Sequence, residues 1–366
     1  MLRLPRRSLG VFAILTVLAL AVAGCGETPR TLDTAAVRQS LARLRSDTAV
    51  WALARIQDGE RSWDFTSGTA ELGTETPVPA DGHFRIGSIT KTFVATVILQ
   101  LVAEGTLRLD EPVADRVPRY APVTAGVTLR HLLDNTSGLP DVVRTLPMPG
   151  QPEFFQIRWK SWSPSELLDR ALGYPVSFAP GSAYEYSTTN YLLLGEVIQQ
   201  VTGHSYAREI TDRIIAPLRL SHTSLPGQNT TIPEPHPHGY VPAEHGLLDY
   251  TEMNPALFGA GGEMLSTTAD LTTFFAALLS GRLLPDALLA RMKTAGVPGS
   301  SYGLGLRHRS TSCGLDAFGN DGDALTHQSW SFTAGARQVT LALGPNFTGD
   351  PDDAVDAFLD AALCAI

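Results

Sequence analysis

Strand patterns stand at both ends of this 366-residue chain, and helical patterns fill the region between them. Near the start, an apolar run at 49–56 followed by an Asp58-Gly59 turn predicts a β-hairpin. Near the end, strand-like runs return at 302–308, 330–334 and 338–343. Short strands bury an apolar face only by joining a sheet. The pattern therefore predicts one mixed sheet built from both ends, with a helical insertion.

Apolar residues at helical spacing predict the remaining elements. The predicted helices lie at 35–44, 88–103, 192–201, 269–279 and 352–363. In the second of these, Gly105 follows the last apolar position and is a plausible helix end. The segment 226–245 is rich in proline and glycine and predicts a long loop.

The composition excludes several classes of protein. With 43% hydrophobic and 18% charged residues, the chain is suited to a large core, so wholesale disorder is excluded. The formal net charge is −9 and no basic run is present. An acidic chain of this kind argues against nucleic acid as a partner and against adsorption of the folded body to an anionic membrane.

The first 24 residues are interpreted as an export signal and not as part of the fold. Three arginines precede an uncharged apolar stretch at 9–22, which is short for a membrane span. Ala23 and Gly24 then lead to Cys25, which resembles a bacterial lipoprotein signal with the lipid on Cys25. A plain secretory signal, an uncleaved anchor and a twin-arginine route are the alternatives.

Export determines the expected position of the mature protein. Residues 25–35 are expected to act as a polar tether, with the lipid as the membrane contact at the outer face of the cell envelope. If Cys25 carries lipid, Cys313 and Cys364 are left to form a disulfide in an oxidising compartment. Two buried thiols are the alternative.

The pair Ser88 and Lys91 is the sharpest chemical signal in the sequence. Residues three apart share one face of a helix, so the lysine amine can reach the serine hydroxyl at the start of the predicted helix. Serine needs such a base to become a nucleophile, and the N–H groups of a helix start suit an oxyanion. The alternative is a helix-capping serine with a surface lysine.

Further motifs follow in order along the chain. They are TLRHLLDNTSGLP at 128–140, FAPG at 178–181, YEYSTTNY at 184–191, AGG at 260–262, LST at 265–267 and YGLGL at 302–306. With Ser88 and Lys91, they make the chain from about residue 37 resemble the serine β-lactamase and penicillin-binding superfamily, in its class C β-lactamase and D-alanyl-D-alanine carboxypeptidase branch. The resemblance implies an α/β (α+β) domain over 36–366, with an antiparallel sheet flanked by helices, an all-helical lobe and the substrate between them.

The resemblance also implies roles for residues of the second motif, which is Tyr-x-Asn in the family. Tyr186 would lie beside Ser88 and pass its proton to the leaving group. Thr188 stands where the family has asparagine, which binds the lysine and the substrate amide. Threonine keeps one donor and one acceptor but has a shorter reach. Asn190 is interpreted as a separate structural residue.

The third motif, which is Lys/His-x-Gly in the family and lies on a strand that lines the substrate pocket, falls on residues 320–322. Asn320 replaces a cationic or titratable residue, and Gly322 would keep the backbone bare for the approach of substrate. The N–H of Asp323 would be the second oxyanion donor beside that of Ser88. Two carboxylates here, of Asp321 and Asp323, would raise the pKa of the tyrosine and disfavour an anionic substrate.

Arg307 would supply the cation for such a substrate, because an arginine near this place binds the terminal carboxylate in the carboxypeptidase branch. A salt bridge to Asp321 or Asp323 is the alternative. No metal or cofactor is expected, although His236, His238 and His245 cluster in sequence. His327 is expected to be structural, with a role near the pocket as the alternative.

The function expected from the resemblance is acyl transfer through Ser88, with Lys91 and Tyr186 sharing the work of general base. A D-alanyl-D-alanine carboxypeptidase acting on peptidoglycan stem peptides is the first expectation. A β-lactamase or small-ester hydrolase is the second. A non-catalytic lipoprotein that binds a wall fragment or a partner is the alternative from another class, because Thr188, Asn320 and the paired aspartates depart from the family pattern.

Overall fold

A six-stranded antiparallel sheet lies at the centre of the computed structural model, which describes residues 32–364. The expected signal segment and lipidation site, Cys25, lie outside the described residues. The sheet has the order β2-β1-β10-β9-β8-β7, and β3-β6 and β4-β5 form two small ribbons. The strands are β1 (Ala49–Asp58), β2 (Arg61–Gly68), β3 (Phe84–Arg85), β4 (Tyr240–Ala243), β5 (Gly246–Asp249), β6 (Leu265–Ser266), β7 (Arg307–Ser310), β8 (Asp316–Asp323), β9 (Gln328–Ala334) and β10 (Arg337–Pro345).

Helices occupy the faces of the sheet and the middle of the chain. The α-helices are α1 (Thr34–Thr48), α2 (Thr90–Ala103), α3 (Leu129–Leu133), α4 (Pro164–Ala171), α5 (Thr188–Thr202), α6 (Tyr206–Ile210), α7 (Ala216–Leu218), α8 (Thr268–Leu279), α9 (Asp286–Lys293) and α10 (Asp352–Cys364). A π-helical segment, Thr211–Ile215, joins α6 to α7. Short 3-10 turns lie at Gly87–Ile89, Val113–Asp115, Pro118–Tyr120, Val142–Thr145, Phe154–Ile157, Pro255–Leu257 and Gly259–Gly261.

The prediction that both ends of the chain build one sheet is confirmed. Strand β1 pairs with β10, with Ala54 opposite Leu341. The expectation of a mixed sheet is wrong, because the strand pairs of this sheet are antiparallel throughout. Most neighbours in the sheet follow each other in sequence through short turns, and such turns join antiparallel strands only.

The predicted hairpin is also confirmed. Asp58 pairs with Arg61, and Gly59 begins the turn with φ +59°. Glycine adopts this left-handed backbone without the steric cost of a Cβ atom, which explains the position of the turn.

Two predicted segments need correction, and one strand, β8, was not predicted. The run at 302–308 forms a strand only from Arg307 onward, and β8 lacks the apolar alternation that would have marked it as a strand. Glycines and aspartates break its pattern, and the pairing of β8 with β7 and β9 overrides this weak local preference. Similarly, the predicted loop at 226–245 contains β4.

The sheet separates two apolar cores. Helices α1 and α10 cover one face, where Leu41 and Phe358 pack in a cluster with alternate residues of β1 and β10. The other face carries α8 and α2, whose Phe274 and Phe93 rings stack at 3.7 Å between centroids. The larger core continues from here into the helical lobe, so α2 lies at the junction of lobe and sheet.

A disulfide joins Cys313 to Cys364, as the sequence predicts. It ties the turn between β7 and β8 to the end of α10, and so fixes the edge of the sheet. Within residues 32–364, none of the helices combines the length and the apolar composition needed to cross a bilayer.

We predict that replacing both cysteines, Cys313→Ser with Cys364→Ser, lowers the free energy of unfolding by about 4 kcal/mol. The sequence separation is 51 residues, and the loss of this closed loop increases the entropy of the unfolded chain, which gives the estimate of about 4 kcal/mol. Urea denaturation measures the change. Wild-type protein held under reducing conditions should match the variant, and equal stability of variant and oxidised wild type would contradict the prediction.

Candidate active site

Ser88 lies in the 3-10 turn Gly87–Ile89, directly before α2. Gly87 has φ +50°, and a Cβ atom placed on it would come within 2.6–2.7 Å of the backbone of Asp323. Only glycine fits between the turn and the end of β8 in this conformation. The local backbone therefore holds Ser88 against the end of β8, where Ser88 stays partly exposed.

Lys91 is almost completely buried, with 1% of its surface exposed, so the alternative of a surface lysine is wrong. Its Nζ lies 3.0 Å from Ser88 Oγ, 2.7 Å from the carbonyl oxygen of Gly261 and 3.4 Å from Thr188 Oγ1. The predicted contact between serine and lysine is therefore present, with two further acceptors around the amine.

Burial lowers the pKa of Lys91 to about 7, from its ordinary value of 10.5. The carboxylates of Asp141 and Asp321 oppose this shift in pKa, and the charge of Arg307 adds to it. A neutral amine has two N–H groups and one lone pair. With Gly261 and Thr188 accepting the two N–H groups, the lone pair faces the hydroxyl of Ser88, which is the geometry of a general base.

Tyr186 lies on the other side of the amine. Its ring centroid is 4.8 Å from Lys91 Nζ, and its side chain neighbours that of Ser88. Burial, followed by the neighbouring Tyr302, raises the pKa of Tyr186 well above its usual value. Tyr186 therefore keeps its proton at neutral pH, which suits it to donate that proton and makes Lys91 the better base.

Thr188 begins α5 and retains the contact with the lysine expected of its family position, although the distance is long. Its backbone N–H donates to Asp141 Oδ1 at 2.9 Å, so this carboxylate caps α5 beside the site. Asn190 is fully buried and bonds Asn135 and Ser137 at 2.8 and 2.6 Å. It is structural, as expected.

The structure does not bring Asn320 into contact with Ser88 or Lys91. Its side chain is 1% exposed and donates to Thr92 Oγ1 at 3.0 Å. At this position of β8 the side chain points inward to α2, so Asn320 joins the strand to the helix. The expectation that it faces the substrate is therefore wrong.

Gly322 and Asp323 lie at the end of β8, in contact with the 3-10 turn that contains Ser88. A Cβ atom on Gly322 would lie 2.0 Å from the carbonyl oxygen of Ile86 and 2.8 Å from the nitrogen of Ser88. The bare backbone thus admits the chain's own turn, which corrects the expectation that substrate needs this space. The same contact brings the backbones of Ser88 and Asp323 together, where two N–H groups are suited to an oxyanion.

Asp321 and Asp323, near the end of this strand, have different surroundings. The carboxylate of Asp323 accepts the N–H of Leu325 at 2.7 Å and the amide of Gln328 at 3.0 Å, so it fixes the following turn. The carboxylate of Asp321 forms an ion pair with Arg307 Nε. Of the two roles considered for Arg307, the structure therefore contains the salt bridge.

The histidines lie away from this centre. His327 is completely buried, and burial lowers its pKa to about 3, so the alternative of a role in the pocket is wrong. His238 Nδ1 bonds Asp249 at 2.5 Å. Within residues 32–364, His, Cys, Asp and Glu side chains do not gather in groups of three that would hold a metal ion.

A cavity of about 350 Å³ opens above Ser88. Its polar part is lined by Ser88, Tyr186, Thr188 and Asp141, together with Gly261, Gly262 and Asp323. Its walls are apolar, and are formed by Val143, Met148, Pro149, Phe258, Leu325 and Phe347. These walls and Asp141 were not predicted from the sequence, although Asp141 directly follows the motif at 128–140.

The model of the Beta-lactamase family matches residues 35–365, which is nearly the whole described region. The chain belongs to the β-lactamase family. Its members form a superfamily of serine hydrolases with the penicillin-binding proteins, so the resemblance to this superfamily is confirmed, as is the fold class that it implies.

Relatives within the family carry different names. Penicillin-binding protein 4 of Amycolatopsis lactamdurans is 30% identical over 67% of this chain, which spans 65% of that protein. Esterase EstB of Burkholderia gladioli is 29% identical over 75% of this chain and 77% of its own. The solved structure of a D-stereospecific amidohydrolase from Streptomyces is 34% identical, with a TM-score of 0.80 over 89% of this chain and 98% of its own.

We predict that the rate of Ser88 acylation rises with pH and levels off above an apparent pKa of about 7, because only neutral Lys91 accepts the serine proton. Below that value the rate should fall by roughly tenfold per pH unit. Acylation by a chromogenic ester between pH 5 and 9 measures the profile. A rate that rises only above pH 9 would instead make Tyr186 the base.

Proposed function

We propose that this protein is a serine hydrolase that acts through an acyl-enzyme on Ser88. Ser88 Oγ attacks a carbonyl carbon while its proton moves to Lys91 Nζ. The N–H groups of Ser88 and Asp323 stabilise the oxyanion. Tyr186 donates its proton to the leaving nitrogen or oxygen as the bond to carbon breaks, and regains one from Lys91. Water then attacks the ester, and Ser88 recovers its proton.

The contacts of Lys91 carry this proposal. A buried amine with a pKa of about 7 and two N–H acceptors beside a partly exposed serine is costly to maintain in a protein that only binds. The departures at Thr188 and Asn320 do not disturb it. Thr188 still contacts the amine, and Asn320 lies outside the reacting set.

The cavity supports a peptide-like amide or ester with a bulky apolar side chain on its acyl part. The walls are apolar, and the volume of about 350 Å³ suits a small molecule. Asp141 adds a carboxylate that favours a cationic group, such as the ammonium of an amino acid amide. The similarity to a D-stereospecific amidohydrolase supports the D configuration for the substrate.

A D-alanyl-D-alanine carboxypeptidase that acts on the peptidoglycan stem peptide is the second candidate. The relation to a penicillin-binding protein and the position of Arg307 beside Tyr186 favour it. The apolar walls fit the small methyl group of alanine less well. A β-lactamase would form the same acyl-enzyme but release it quickly.

We also propose that the enzyme is exported and held at the outer face of the cell envelope by lipid on Cys25. The signal pattern of residues 1–24 motivates this location, and the disulfide supports an oxidising compartment.

We predict that the chain from residue 26 onward is labelled covalently by a fluorescent penicillin or hydrolyses a chromogenic ester, and that Ser88→Ala abolishes both, because the nucleophile is gone. Ser221→Ala, in an exposed turn outside the cavity, should behave as wild type. D-Phenylalanine amide should be hydrolysed faster than its L form and than acetylated D-Ala-D-Ala. The reverse order would favour the carboxypeptidase, and neither label nor turnover at any pH would leave the non-catalytic alternative.

We predict that Cys25→Ser moves the full-length protein from the detergent phase to the aqueous phase in a Triton X-114 partition of expressing bacteria, because lipid can no longer attach. Cys313→Ser, combined with Cys364→Ser, controls for the loss of cysteines elsewhere and should remain in the detergent phase. Aqueous partition of the unaltered protein would refute lipidation.

A further inference from the structure

The ion pair between Arg307 and Asp321 stands on two neighbouring strands beside the reacting groups. Arg307 on β7 pairs in register with Gly319 on β8, and Asp321 follows two residues later on the same face of the strand. This diagonal placement brings the carboxylate to Arg307 Nε. The two side chains remain about one third exposed, at 31% and 35%, so a ligand in solution can reach them.

The pair lies on the leaving-group side of the site. The guanidinium carbon of Arg307 is 5.9 Å from the ring centroid of Tyr186, and Lys91 Nζ is 4.8 Å from the same ring. The ring of Tyr186 is thus a neighbour of both the amine and the ion pair. Because Tyr186 would hand its proton to the leaving group, that group must pass close to Arg307 and Asp321.

A carboxylate on the leaving group would meet two opposite charges here. Alone, Arg307 would bind it with charge-assisted hydrogen bonds, which arginine forms well with carboxylates. With Asp321 present, the Nε of the Arg307 guanidinium is already paired with a carboxylate. An arriving carboxylate must then displace Asp321 or lie beside it, and like charges at short range repel.

We propose that Asp321 is a specificity-determining residue, which occupies Arg307 and so selects leaving groups without a carboxylate. This inference rests on the proposed function. It assigns neutral amides and esters as the substrate class, and disfavours peptides with a free carboxyl terminus. The arginine then serves chiefly to hold Asp321 and the strand pair beside Tyr186.

Asp321 is the residue that would keep a substrate carboxylate away from Arg307. Asp321→Asn keeps the size of the side chain and removes its charge, so Arg307 becomes available to a substrate carboxylate. Asp321→Ser is a second, smaller variant in case the amide still holds the guanidinium. Asp316→Asn is the matched control, because it removes a carboxylate from the same strand where Asp316 pairs with His308 at 2.7 Å, at the exposed outer end.

Two probes that differ in one group test the inference: D-phenylalanyl-D-alanine and its C-terminal amide. Their dissociation constants are measured by calorimetry in the Ser88→Ala background, so that turnover plays no part, and kcat/KM is measured with Ser88 present. We expect Ser88→Ala protein to bind the amide more tightly. Asp321→Asn should shift the ratio of the two dissociation constants toward the free acid by about tenfold. Adding Arg307→Gln to Asp321→Asn should remove that gain.

The outcomes separate this inference from the proposed function. An unchanged ratio in both Asp321 variants, or a wild-type preference for the free acid, would overturn the inference. Equal shifts in Asp321→Asn and Asp316→Asn would also overturn it, since the effect would then be one of net charge. Covalent labelling of Ser88 is a separate test, and its result decides only whether the proposed acyl-enzyme forms. A shift in binding without labelling would support the selectivity of the site while refuting the proposed catalysis.

Discussion

The site depends on the burial of one amine, that of Lys91, among protein oxygens that accept its N–H groups. Lys91 enters the protein interior at the junction of the helical lobe and the sheet, and its three contacts come from the turn at Gly87–Ile89, from α5 and from the turn at Gly259–Gly261. Burial lowers the pKa of Lys91. The two oxygens that accept its N–H groups direct the lone pair of the neutral amine toward Ser88. Each element of the lobe that contacts this amine therefore contributes to its reactivity as well as to the stability of the fold.

Charge around the amine is balanced rather than absent. Asp141 and Asp321 favour its protonated form, and Arg307 favours its neutral form. The same Arg307 is bound to Asp321, so a change in either residue alters both the amine and the surroundings of Tyr186. Under the proposed mechanism, acid–base chemistry and substrate selection would thus depend on the same set of charges.

Local patterns in the sequence were sufficient for the elements that carry their own signal. The hairpin at Gly59, the helices α1 and α8 and the pairing of Ser88 with Lys91 follow from turn chemistry and helical spacing. The strand β8 could not be predicted in this way, because its glycines allow contact with other segments, such as that of Gly322 with the distant turn at Ser88. Nor could the acceptor at Gly261, which is 170 residues from the lysine it contacts. The inward direction of Asn320 likewise depends on how β8 packs on α2, which no local pattern encodes.

The close contact between Gly322 and the turn at Ser88 has a consequence for folding. Ser88 comes from an early part of the sequence, whereas the backbone that completes its oxyanion pocket belongs to β8, near the end. A chain that has folded its helical lobe alone thus holds serine, lysine and tyrosine without a finished pocket. Under the proposed mechanism, acylation should therefore begin only when the two ends of the chain have met.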